Sequence, residues 1–172
     1  MSILNRLFGS SGSQLTKQAR NLLPSVQVFA ASSYSTVASD FQCIRVVDLP
    51  RWDFILTIGG IFCGISQLAY ENLPEPTKNF LLEIITEAVV AWQRDAPAAV
   101  EDCRRFVDRT HDDLAALPEY KTKPEFLFLD ALGSWVVWNL FGHTPSTAEE
   151  RQLVRVMGGM LVHSFMHWWK EA

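Results

Sequence analysis

Few residues in this sequence are spaced for chemistry, and the best set is His163-Ser-Phe-Met-His167. An i,i+4 spacing on a helix puts both imidazoles on one face, within reach of a single metal ion. Two ligands do not make a site. Third and fourth ligands have to come from other helices, and the Glu-x-x-His pairs with which bundles hold two metals are absent. His111, Asp112, His143 and Asp130 complete the set only if the fold brings them there. The two histidines also lie among Met160, Phe165, Met166, Trp168 and Trp169, close to a helix C-terminus that favours a cationic imidazole. Amphipathic interface residues are therefore the first expectation and metal binding at His163 and His167 the second.

Asp130 stands between Leu129 and Ala131 in an apolar stretch. A carboxylate buried there without a partner would be strongly unfavourable or would stay protonated. Arg155, His163 or a Trp or Tyr donor is expected to pair with it, which makes it a device for specifying the fold rather than a catalyst. The common catalytic and cofactor signatures are missing: no G-x-x-x-x-G-K-[ST], no G-x-G-x-x-G, no G-x-S-x-G, no H-E-x-x-H and no cysteine pair at zinc spacing. No cofactor is expected, and the balance leans away from an enzyme.

The elements that must position these residues follow from the punctuation. From residue 50 onward, helices alternate with short Pro-containing turns. The first helix is expected over 50–72, with Asp48 as its cap, and Pro74 and Pro76 end it. The second covers 77–94, with Leu81, Ile84, Ile85, Ala88 and Trp92 on one face. A third over 97–117 carries a narrow seam of Val100, Cys103, Val107, Thr110, Leu114 and Leu117 on an otherwise charged surface, which suits an outer position. The fourth, over 124–141, is apolar nearly all round and reads as the central helix. The fifth opens at Pro145, with Ser146 and Glu149 as a capping box, and continues to Lys170. Gly60 and Gly64 in the first helix and Gly158 and Gly159 in the last remove side chains where helices cross closely; together with Asp130 they are also the candidate lining of an apolar ligand pocket.

The fold expected is all-α: a compact bundle of about five main helices, preceded by a short basic amphipathic N-terminal segment. Residues 24–49 between them read as irregular, with a two-stranded hairpin as the alternative, since Val26-Gln27-Val28-Phe29 alternates and Cys43-Ile44-Arg45-Val46-Val47 is rich in β-branched residues. The division is 1–39 as a leader or tether and 40–172 as the bundle domain. Residues 1–39 carry Arg6, Lys17 and Arg20, no acid and nine serines. Within Leu15-Thr-Lys-Gln-Ala-Arg-Asn-Leu-Leu23, the residues Leu15, Ala19, Leu22 and Leu23 share a face. Short helices packed on or tethered to the bundle, an organelle import presequence, a secretion leader and a membrane-surface anchor all fit that description.

The chain is 172 residues long, 48% hydrophobic and 12% aromatic, enough for one well-filled core. Its 15 basic and 19 acidic side chains give a net charge of −4, which argues against nucleic acid as a partner. Phe54 to Ile65 is apolar for only 12 residues, fewer than the ~20 needed to span a bilayer, and reads as a buried core helix. Cys43, Cys63 and Cys103 are odd in number and far apart, as in reduced thiols of an intracellular, cytoplasmic protein; a mitochondrial matrix location after removal of a presequence is the alternative.

Phe165, Trp168 and Trp169, with Met157, Met160 and Met166, are of the types that anchor interfaces, and an association surface is expected at this end of the chain. The functional expectation is a non-catalytic interaction or assembly protein, such as a small subunit or accessory factor of a larger complex, with a protein partner or self-association. A bundle that binds an apolar small molecule or lipid is the second expectation. A bacterial secreted effector or a cognate inhibitor is the third.

Overall fold

The computed structural model describes residues 3 to 170, with side-chain burial described from residue 12 onward. The protein is all-α. Its helices are α1 (Ile3–Asp40), α2 (Leu49–Tyr70), α3 (Glu75–Trp92), α4 (Ala96–Ala115), the single-turn α5 (Pro118–Thr122), α6 (Leu127–Phe141) and α7 (Ala148–Phe165). Two 3-10 turns, Gln42–Val46 and Pro124–Phe126, join α1 to α2 and lead into α6, and there is no strand among the described residues. The five expected helices are α2, α3, α4, α6 and α7.

The first correction concerns residues 24–49. They are neither irregular nor a hairpin: α1 runs without a break through Pro24 to Asp40, and a 3-10 turn follows. Proline removes one backbone donor and crowds the preceding turn. The helix persists because Leu22, Val26, Ala30, Ser33 and Val37 recur every three or four residues and are all buried. Val26 and Val28, which alternate like a strand when read alone, split on the helix into one buried and one exposed residue. Of the expected leader, Met1 and Ser2 lie outside the described residues.

The centre is shared by α2 and α6. Helix α2 begins at Asp48, whose carboxylate accepts from the Arg51 N–H at 2.9 Å, and packs against α1, α4, α6 and α7. It is long and apolar enough to cross a membrane, yet 72% of its most apolar window is buried inside the molecule. The Trp52 indole, fully buried near its start, donates to the Ala30 carbonyl of α1 at 2.9 Å. The most extensive contact in the molecule is α6 against α7.

Glycine makes these crossings close. A Cβ on Gly60 would lie 2.5 Å from Val26 Cγ1, and one on Gly64 2.6 Å from a Leu22 methyl. On Gly158 it would lie 1.8 Å from the Leu129 carbonyl oxygen, and on Gly133, its counterpart in α6, 1.8 Å from that of Val154. Backbone meets backbone there. Gly159 faces open space instead.

The cap of α7 sits one residue later than expected. Thr147, not Ser146, accepts from the N–H of Glu150 at 3.1 Å, and Glu150, not Glu149, reaches back to the Thr147 N–H at 3.2 Å. Both pairs satisfy the capping pattern in sequence. The displaced Glu149 instead accepts from the N–H groups of Gln42 and Cys43, closing the exposed amides of the 3-10 turn onto the start of α7. The Glu150 carboxyl is held below the usual carboxylate range chiefly by the Ser146 amide.

The C-terminal aromatics also differ from expectation. Helix α7 stops at Phe165, and the chain continues in turns to Lys170. Phe165 and Trp169 are buried, and Trp169 donates to the Gly64 carbonyl at 2.8 Å. Trp168 and Gln18 exchange hydrogen bonds, indole to carbonyl at 3.2 Å and amide to carbonyl at 3.1 Å. Phe165 and Trp169 thus pack into the core, and Trp168 is half-buried beside α1.

Candidate functional site

The expected site residues do not converge. His163 and His167 are both exposed, the second beyond the end of α7, and no group of three His, Cys, Asp or Glu side chains among the described residues is placed to hold a metal ion. The expected pocket at the glycines is filled: Leu22 and Val26 occupy the space beside Gly64 and Gly60, and α6 backbone that beside Gly158. Gly159 lies apart from them. Of the candidates, Asp130 lines one concavity and His111 and Asp112 another.

Two concave features stand out. The first is a groove of about 990 Å³ formed by α2, α4 and α6, with Leu82 of α3 and Met166 also lining it. Phe62, Ile65, Val100, Val107 and Phe128 make it apolar, and the rings of Phe62 and Phe128 stack with centroids 5.9 Å apart. Tyr70, 83% exposed, stands at the C-terminal end of α2. The α4 side is charged. Arg104 bridges Glu101 at 2.7 Å and Asp108 at 2.8 Å, and Asp112 lies one turn further on. Three carboxylates thus face this groove against one guanidinium. The Arg104 hydrogen bond holds the Glu101 carboxyl below its ordinary range, so Glu101 stays ionised near neutrality.

The second is a cleft of about 870 Å³ along α5, α6 and α7. Asp130, only 4% exposed, sits in it with the partners its burial requires. Arg155 grips it from α7: Nε donates to Oδ1 at 3.1 Å and Nη2 donates to Oδ2. The Tyr120 hydroxyl of α5 donates to Oδ2 at 2.9 Å. The guanidinium also lies over the Phe126 ring, 4.4 Å from its centroid, and its Nη2 is 3.7 Å from the exposed Glu119. Burial, and then the bond to Asp130, push the Tyr120 phenol up to about 12. This fork-on-carboxylate geometry fixes the rotamer of Arg155 and leaves its Nη1 edge directed away from Asp130.

The cleft thus sets Arg151 and Arg155 of α7 beside the buried Asp130 and the Tyr120 phenol, which is held protonated. No family model matches the chain, and no curated protein and no solved structure is significantly similar to it.

Several residues of these features were not singled out from the sequence. Tyr120 lies in a Pro-containing linker with nothing to mark it as buried. Arg151 carried a signal, since it forms an i,i+4 pair with Arg155, the residue expected beside Asp130, on one face of α7. The groove residues Phe62, Leu82 and Phe128 belong to three different helices, and only the packing makes them neighbours.

Proposed function

We propose that this is a non-catalytic interaction protein, an assembly or accessory factor, that receives a basic amphipathic helix from a protein partner in the groove between α2, α4 and α6. The observation that carries this reading is the union of an apolar floor with an acidic rim on one side. The α4 wall from Pro97 to Asp112 is 16 residues long and spans about 22 Å at the helical rise, so a partner helix of about four turns fits alongside it. Its apolar face would cover Ile65, Phe128 and Met166, as in other helix-in-groove complexes. Lysines or arginines on its flank would meet Glu101, Asp108 and Asp112, which steers association and excludes acidic competitors. The chain's own basic segment is not that occupant, because Ala19, Leu22 and Leu23 are buried against the bundle. Cys43, Cys63 and Cys103 are all unpaired, which supports a reducing, intracellular setting.

The test is fluorescence anisotropy with a labelled helical peptide of leucines and lysines, the leucines on one face. We expect saturable binding that weakens with salt and falls about tenfold or more in a Tyr70→Asp, Leu82→Asp double variant, whose changes lie on the surface. Equal binding to the double variant, or to a peptide with its lysines replaced by glutamine, would overturn the reading.

A further inference from the structure

The cleft around Arg155 is independent of the groove and shares no lining residue with it. Three features make it a prepared anion site. The guanidinium of Arg155 is immobilised by Asp130 on one edge and Phe126 on one face, so a ligand at its remaining edge need not order it. Arg151 stands one turn earlier on the same face of α7. Its Nη1 donates to the Ser146 carbonyl at 3.0 Å, and its other N–H groups have no acceptor among the described residues. Finally, the Glu119 carboxylate already rests 3.7 Å from Arg155 Nη2, the nitrogen that also holds Asp130, too far for a hydrogen bond, and is largely exposed. A pair of that kind is weak and readily exchanged.

The charge balance sets the class of ligand. Two guanidiniums face Asp130 and Glu119, so one incoming negative charge that displaces Glu119 leaves the cleft neutral, whereas a phosphate dianion leaves it in excess. Beyond the arginines the lining turns apolar, with Phe41, Leu114, Val154 and Val156. We propose that this cleft binds a small organic acid, a carboxylate on an apolar chain, with its head on the free edge of Arg155 and on Arg151 and its tail along Val154, Val156 and Leu114. Glu119 is the internal competitor for the head site.

Full-length protein labelled with 15N-arginine is titrated with decanoate, with decanol and with N-acetylleucine, following the Nε–H signals of Arg151 and Arg155. Decanoate is expected to shift both signals saturably and decanol neither. Glu119→Gln, a surface change, is expected to tighten decanoate about threefold to tenfold by removing the competitor, and Arg151→Gln to weaken it by a similar factor. A merely structural role for Arg155 moves none of these affinities. N-acetylleucine, which carries the same head as a peptide C-terminus on a short body, is expected to bind more weakly than decanoate. The proposal is overturned by an absence of saturable shifts, by equal binding of decanol, by an affinity unchanged in Glu119→Gln, or by N-acetylleucine binding the tighter.

Discussion

Asp130 and Tyr120 show how a single buried carboxylate organises a region. Residues 115–125 are exposed apart from Tyr120, and the hydroxyl of Tyr120 ties this connector to α6 through Asp130. The tie has a pH signature. The phenol ionises near 10 in an unfolded chain and at about 12 in the folded protein. Between those values the folded state holds the proton and the unfolded state releases it, so stability is complete below pH 10 and declines as pH rises toward 12. Urea denaturation of the protein and of Tyr120→Phe at intervals from pH 8 to 12 is expected to show that decline in the first and to lose this part of it in the second. Asp130 itself was legible in the sequence as a residue in need of a partner, and Arg155 and a tyrosine were among the donors expected for it. The choice of Arg155 over His163 was not legible, because the two lie on α7 at positions that only the α6–α7 crossing tells apart.

At the scale of elements, the glycines of α7 separate two physical roles that adjacent letters hide. Gly158 and Gly133 let the backbones of α6 and α7 meet, with a carbonyl oxygen 1.8 Å from where either Cβ would stand. Gly159, one residue on, meets nothing. Gly158→Ala must therefore force the helices apart and is expected to destabilise the protein by about 3 kcal/mol or more, in the range of other overpacked sites. Gly159→Ala is expected to stabilise it by about 0.5 to 1 kcal/mol, since alanine gains helix propensity at no steric cost. Thermal melts of the two single variants check both signs. Reading glycine as a marker of close crossing holds for Gly60, Gly64 and Gly158 and fails for Gly159. The capping box of α7 has the same character: two overlapping pairs satisfy the pattern, and the chain uses Thr147 and Glu150 because Glu149 is drawn to the 3-10 turn at Gln42.

For the whole molecule, the decisive element is α1. It supplies Leu22 against Gly64, Val26 against Gly60 and the Ala30 carbonyl to Trp52, and it packs on both α2 and α3. A chain lacking residues 1–39 would uncover the most apolar helix of the bundle. We expect it to melt without a cooperative transition and to bind the dye ANS strongly, whereas a removable leader would leave the melting temperature within a few degrees of the full chain's. Circular dichroism of the two chains decides between these outcomes. The sequence by itself determined what is local: the helical periodicity from residue 50 onward, the breaks at proline, the Asp48 cap and the apolar character of α2 and α6. These rest on contacts within a turn or two of the backbone. The tertiary structure alone decided that residues 24–40 continue α1, that Phe165 and Trp169 are buried in the core, and that two unequal concavities flank α6. Those outcomes depend on partners far along the chain, 25 residues from Asp130 to Arg155 and 105 from Gly64 to Trp169, where a local pattern carries no information about which face will be covered.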